Sequence, residues 1–326
     1  MKQIWKDMGY AVILGLILPS VLLAAVISVT DRPHTNIEET QAPILETVLT
    51  EGSQQMLITV LTPENGTVQQ PLDTYLTSVV LAEMPVSFED EALKAQAVVA
   101  RTYALRAVNG ASKHDGAAVC TDATCCQGYL TVDAFLQKGG KEETVAHILE
   151  LVKATQNQVL TYDGELIEAT YFSCSGGRTE DAVAVWGTDV PYLQSVESPG
   201  EEHAAHYSDT YTMTPEEVAS KLGISFSGNP DTWFGNVTYT AGGGVAEMEI
   251  GRQVFTGTQL RNLLGLRSTA FTVKAGKDQI IITSRGYGHR VGMSQYGADA
   301  MAATGSGYQE ILSYYYQGTS LTHYED

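Results

Sequence analysis

The sequence predicts an α+β fold, preceded by an N-terminal transmembrane helix and interrupted by an inserted smaller lobe. Three observations carry that expectation. Strand-like and helix-like segments are mixed along the chain without regular βαβ alternation. An uncharged, mostly apolar run of 23 residues, Met8 to Thr30, is long enough to cross a bilayer of about 30 Å. From His206 to about Phe271 the patterning changes: Thr214-Pro215-Glu216-Glu217 opens a short helix, and the Gly-rich turn Gly242 to Gly244 leads into strands.

Taken in order, residues 1–30 read as a cytoplasmic tip and anchor. Lys2 and Lys6 precede the apolar run, which orients the rest of the chain outward. A cleaved signal peptide is the competing reading, but the run exceeds a usual signal core and no A-x-A site follows it. Residues 31–55 are acidic, polar and aperiodic, as in a juxtamembrane stalk. The folded ectodomain is expected over 56–323, with 207–271 as the inserted lobe. At 44% hydrophobic and 17% charged, the 326 residues suffice for one large or two small cores. A net charge of −19 with no basic cluster excludes a nucleic-acid partner.

Met56 to Thr62 alternates like a strand. A helix follows in which Leu72, Leu76, Val79, Val80 and Glu83 share one stripe, so Glu83 extends an apolar face. Pro85 disfavours helical geometry at Met84, which ends the helix at Glu83 and leaves a carboxylate beside a turn. A second, Ala-rich helix is expected with Ser87 as its N-cap, running to Leu105. Arg101 lies within it, placed either to hold an anionic or hydroxyl-rich ligand or to form a structural ion pair with Glu83. Further helices are expected at Glu142 to Gln156, Ser294 to Ala303 and Tyr308 to Tyr316. Asp163-Gly164 marks a hairpin whose second strand runs into Ser173-Cys174-Ser175. On that strand Tyr171, Ser173 and Ser175 share a face, which lines a carbohydrate groove or is a wet sheet surface.

His114, Cys120, Cys125 and Cys126 fall within 13 residues, a donor set suited to tetrahedral zinc in a structural site. A disulfide from Cys120 to Cys125 or Cys126 is the alternative. Cys174 reads as a small buried thiol, and His203 and His206 as a solvated pair. The glycines around His289 match no nucleotide-binding spacing, and no H-E-x-x-H helix supports a zinc peptidase. His289 itself is a candidate site residue.

Four segments together resemble the stage II sporulation protein D family of peptidoglycan-active proteins: LAEMPVSFEDEALKAQAVVARTYAL from Leu81, YFSCSGGRTEDAVAVWGTDVPYLQSVESP from Tyr171, TGTQLRNLLGLRST from Thr256 and GYGHRVGMSQYGADAMAATGSGYQEILSYYYQGT from Gly286. The resemblance implies a lytic transglycosylase that cleaves MurNAc–GlcNAc bonds of peptide-stripped glycan strands during engulfment, leaving 1,6-anhydro ends. It makes Glu83, in the A-E-M-P motif, the catalytic acid, and His114, Cys120, Cys125 and Cys126 zinc ligands. Arg101, Gln127, Tyr129, Tyr171, Ser173, Ser175 and His289 become the expected substrate-binding set. The implied partners are peptidoglycan strands, a cell-wall amidase and other membrane proteins of the engulfment machinery. The implied location is the mother-cell membrane, facing the intermembrane space. A non-catalytic, glycan-binding activator of a partner amidase is the rival implication. Two positions depart from the family pattern: Arg290 stands where Gly-His-Gly is commoner, and Gln194 stands in PYLQSV where a basic residue is expected.

Overall fold

The computed structural model describes residues 56–325. Among these no helix is long and apolar enough to cross a membrane. This corrects the expected architecture of a transmembrane helix followed by an ectodomain, and with it the expected single-pass membrane location. Met8 to Thr30 and the acidic stretch 31–55, on which those expectations rested, lie outside the described residues.

The described fold mixes helices with five small sheets. Strand β1 (Leu57–Thr62) pairs antiparallel with β2 (Gly66–Pro71), and short β3 (Val119–Cys120) joins β1 in parallel. Helices α1 (Leu72–Glu83) and α2 (Asp90–Arg106) follow β2 directly. On α1 the expected stripe of Leu72, Leu76, Val79 and Val80 is buried. Helix α2 is buried on nearly every face, because its alanines let neighbours approach closely on all sides. Ser87 does not cap it: α2 starts at Asp90 after Glu89, whose N–H donates to Asp299 Oδ1 at 2.8 Å. A partner 210 residues away in sequence left no local signal.

Next come α3 (Val132–Gln137), α4 (Glu142–Ala154), β4 (Gln158–Tyr162), β5 (Glu165–Leu166) and β6 (Tyr171–Phe172). The hairpin turns at Asp163-Gly164, with φ of 50° and 85° and Tyr162 opposite Glu165, the geometry of a type I′ turn. Its second strand is only two residues long, and β6 is a separate strand.

Arg101 is 1% exposed, and among the described residues no hydrogen bond or ion pair joins it to Glu83. Its guanidinium donates to the carbonyls of Val152 (2.9 Å) and Thr155 (2.8 Å) where α4 ends, adding a charged donor to carbonyls that also accept the Thr155 and Gln158 N–H groups. Burial pushes its pKa down to about 10, which still leaves it charged at neutral pH. The expected ligand-binding arginine is therefore a structural one. Arg101→Met is expected to cost about 3 kcal/mol by removing buried hydrogen bonds made by a charged donor. Urea titration checks this, and a loss under 1 kcal/mol would contradict it.

Helix α5 (Ala182–Trp186) and β7 (Ser208–Met213) lead into a second hydrophobic core. That core is built from α6 (Pro215–Leu222), β8 (Phe234–Tyr239), β9 (Val245–Ile250), β10 (Gln253–Thr256), α7 (Gly257–Leu264), β11 (Phe271–Ala275) and β12 (Ile280–Arg285). Helices α6 and α7 both open with capping boxes, Thr214 with Glu217 and Thr256 with Gln259. β12 lies between β11 and β7, so the second core takes in Ile280 and Ile282, beyond residue 271. The chain then returns to the first core through β13 (Met293–Ser294), which pairs in parallel with β6. It closes with α8 (Gln295–Ala303), α9 (Tyr308–Tyr315) and β14 (Ser320–His323).

Arg290 joins the two cores. It adopts φ 68°, a left-handed backbone that favours glycine, the residue that the family resemblance leads one to expect there. Its side chain is 2% exposed. It donates to Glu180 Oε1 (3.1 Å), Ser175 O (2.8 Å), Arg178 O (2.7 Å) and Gly242 O (2.7 Å). Glu180 Oε1 also accepts from Thr240 and the Gly244 N–H. The Gly-rich turn of the second core is thereby held by a buried ion pair. Gln194 donates to Val190 O at 2.9 Å and so closes a local turn.

Candidate active site

Glu83 is the last residue of α1. Met84 behind it is extended (φ −123°, ψ 143°) and buried, so the chain leaves the helix axis and the Glu83 side chain stands half-buried at the element end. It faces a groove of about 510 Å³ lined also by Tyr103, Cys126, Tyr171, Ser173, Tyr287 and His289. Among the described residues lining that groove it is the only carboxylate.

One oxygen of Glu83 is held twice. Tyr171 Oη donates to Oε1 at 3.0 Å, and the Gly128 N–H donates to the same oxygen. Oε2 has no hydrogen-bond partner among the described residues. Burial, with the charge of Glu83 beside it, pushes the Tyr171 phenol well above its ordinary range, so it remains a donor at neutral pH. Tyr171 Oη also lies 3.3 Å from Gln127 Oε1, and Gln127 Nε2 donates to Tyr75 Oη at 3.0 Å. Tyr129 stacks on Tyr75 with centroids 5.8 Å apart, and its hydroxyl meets Gln70. Gln127 and Tyr129 therefore stand behind the groove and brace Tyr171; neither lines it, which corrects their expected place in direct contact with substrate.

Gly128 was missed in the sequence, and its residue type is required. A Cβ there would lie 2.8 Å from Glu83 Oε1, so only glycine lets the backbone N–H approach the carboxylate this closely.

Tyr171 and Ser173 line the groove, but Ser175 does not. Ser175 is fully buried, and its hydroxyl donates to Glu201 Oε2 at 2.8 Å. Its N–H and the Gly176 N–H converge on that same oxygen. The period-two rule fails because β6 ends at Phe172 and the chain turns before residue 175. Cys174 is a buried thiol donating to Glu201, and burial pushes its pKa up. His203 and His206 each stand beside an aspartate, Asp299 and Asp209.

His289 lines the groove, its ring 5.7 Å from Phe172 and 5.4 Å from Trp186. Its Nδ1 accepts the Val291 N–H at 3.1 Å, which leaves Nε2 as the protonated nitrogen. Burial, and then the charge of Arg261, push its pKa down to about 4, so the ring is a neutral donor at neutral pH.

The donor atoms of His114, Cys120, Cys125 and Cys126 all lie within 4.8 Å of one another, a group that could hold a metal ion. His114 Nε2 is 3.3 Å from Cys126 Sγ and 3.6 Å from Cys125 Sγ. A tetrahedral zinc with bonds of about 2.0 and 2.3 Å needs edges of about 3.5–3.8 Å, so the four donors fit. No disulfide joins these cysteines. Burial raises the Cys126 thiol, but bonds from the Cys120 backbone, His114 and Tyr103 outweigh it and bring it down to about 7. The cluster runs straight into Gln127 and Gly128, so whatever fixes this loop also fixes the N–H on Glu83.

Residues 64–162, which hold Glu83 and all four cluster residues, match the family model described as stage II sporulation protein. Stage II sporulation protein D of Bacillus subtilis (strain 168) is 40% identical over 257 residues, covering 77% of this chain and 74% of that protein. The chain belongs to the stage II sporulation protein D family. The Bacillus amyloliquefaciens member gives the same identity and coverage. An amidase enhancer of Bacillus subtilis (strain 168) is 30% identical over 308 residues, spanning 76% of this chain but 40% of that larger protein. Membership assigns the chain to a family of sporulation proteins and leaves the chemistry to be argued from the groove.

Proposed function

We propose that the chain is a lytic transglycosylase that cuts peptide-stripped peptidoglycan strands between N-acetylmuramic acid and N-acetylglucosamine during sporulation, with Glu83 as acid and then base. The supporting observation is the isolation of that one carboxylate in the groove. Ordinary glycoside hydrolysis takes two carboxylates, one for the leaving group and one for water or the sugar. A single carboxylate suffices when the muramic acid C6 hydroxyl is the nucleophile. Glu83 delivers its proton to the glycosidic oxygen as the C1–O bond breaks. The C6 oxygen then bonds to C1, and its proton returns to Glu83. Tyr171 and Gly128 hold Oε1 fixed, and Oε2 is left for proton exchange. Ser173 offers hydrogen bonds to sugar hydroxyl or acetamido groups from the same groove, and the His289 ring adds a wall to it.

His114, Cys120, Cys125 and Cys126 would hold a structural zinc, whose chemistry is to neutralise thiolates and cross-link the loop preceding Gly128. Purified protein is expected to carry about one zinc per chain. Cys126→Ser is expected to lower both zinc content and melting temperature. Atomic absorption finding no metal in wild-type protein would contradict this.

The amidase enhancer among the relatives favours a second reading, a glycan-binding activator of a partner amidase acting with other engulfment proteins. Incubating the protein with stripped strands and no amidase separates the two. Fragment release by the protein alone is the result expected of the enzyme; an activator releases no fragments from stripped strands and instead speeds an added amidase's release of stem peptides from peptide-bearing strands.

A further inference from the structure

The groove extends beyond the atoms that the proposed reaction uses. On one side of His289 the indole of Trp186 is 45% exposed. It ends a five-residue helix whose first residue, Ala182, is fully buried, so the helix is anchored at one end and presents the ring at the other. On the other side Tyr287 is 39% exposed and lines the groove with His289. Trp186, against His289 at 5.4 Å, and Tyr287 in the groove are exposed aromatic rings, and such faces suit a sugar ring, which is apolar above and below and polar around its edge.

The second core brings cations to this end. Arg267 lies over the Tyr287 ring at 4.5 Å but is paired with Asp209 at 3.2 Å. Its carbonyl accepts the Gly288 N–H at 3.1 Å, which ties the segment after α7 to the groove loop. Arg261, on α7, is half-buried, and its guanidinium makes no hydrogen bond or ion pair among the described residues. Its charge acts on both His289 and Tyr287. A half-buried guanidinium without an anion has surrendered water contacts with nothing in return. In a chain of net charge −19, it also offers local attraction to an anion that the molecule as a whole repels.

We infer that Arg261 and Trp186 form a subsite that binds the next muramic acid of the strand, Trp186 stacking on the sugar and Arg261 pairing with its lactyl carboxylate. This rests on the glycan-cleaving reading above. Removal of the stem peptide frees that carboxylate, whereas an attached peptide converts it to a neutral amide. The subsite therefore reads whether a strand has been stripped, through a charge-assisted and geometrically specific pair.

The test measures equilibrium binding to the full-length Glu83→Gln protein, which cannot cut its ligand. Three probes of matched length are used: peptide-stripped strands, peptide-bearing strands and neutral N-acetylglucosamine oligomers. Stripped strands are expected to bind about tenfold tighter than neutral oligomers at low salt, with the margin shrinking as salt rises. Adding Arg261→Gln is expected to abolish that margin and leave the neutral oligomer and the peptide-bearing strand unchanged. Arg261→Lys should restore part of the margin. Trp186→Ala should weaken stripped and neutral probes alike. An unchanged preference in Arg261→Gln overturns the assignment while the glycan reading stands. Equal weakening on peptide-bearing strands overturns it too, because the carboxylate read would then belong to the peptide. Failure of all three probes to bind the protein with Arg261 and Trp186 intact overturns the glycan reading, and this inference with it.

Discussion

Glu83→Gln is expected to lower fragment release from stripped glycan by at least roughly 100-fold, the low end of what a positioned acid contributes. The amide has the size of the carboxyl group, and its oxygen can still accept from Tyr171 Oη and the Gly128 N–H, so the groove should keep its shape. Only the transferable proton is lost. Circular dichroism and melting should match wild type, which separates a catalytic loss from a folding one. Near wild-type turnover would make Glu83 a structural carboxylate.

The second large effect concerns Arg290. Arg290→Met leaves Glu180, itself fully buried, without its guanidinium, and it strands the carbonyls of Ser175, Arg178 and Gly242. Breaking a buried pair from one side costs about 3–5 kcal/mol. For a domain of this size that corresponds to melting on the order of 10 °C lower. Adding Glu180→Gln to Arg290→Met should recover part of the loss, since the carboxylate left without its guanidinium is then gone. A single-variant melting point within a degree or two of wild type would show that the pair contributes little to holding the Gly242 to Gly244 turn.

Legibility in the sequence followed the range of each signal. The end of α1 at Glu83 was readable because its causes, an apolar stripe and Pro85, lie within one helix. The hairpin at Asp163-Gly164 was readable because a type I′ turn writes its demand into two residues. The group that could hold a metal ion was readable because its four donors are close along the chain. What failed depended on distance. Arg101 was rightly seen to point inward, but its partners are carbonyls 51 and 54 residues on, and a carbonyl has no side chain to announce it. Ser175 was assigned by alternation to a face that the strand does not survive long enough to supply. The N-terminus of α2 is capped by Asp299 rather than Ser87. The expected membrane location came from an apolar run that lies outside the described residues.

The groove shows the same division. Glu83, Tyr171, Ser173 and His289 come together, although 206 positions separate the first from the last. The Gly128 N–H escaped notice because a backbone donor is common to nearly every residue, and only the fold tells which one meets the carboxylate. Trp186 and Arg261 escaped because neither has a local pattern and each takes its meaning from His289. In physical terms, local periodicity exposes what an element does to its own residues. It stays silent on which elements meet.

The central claim, a single carboxylate with the substrate's own hydroxyl as nucleophile, is tested most directly by digesting stripped strands in water enriched in heavy oxygen and weighing the products. The account predicts 1,6-anhydro ends, each lighter by a water than a hydrolysis product and carrying no label from solvent. Reducing ends that take up solvent oxygen would contradict it, for water would then be the nucleophile and a second base would have to exist.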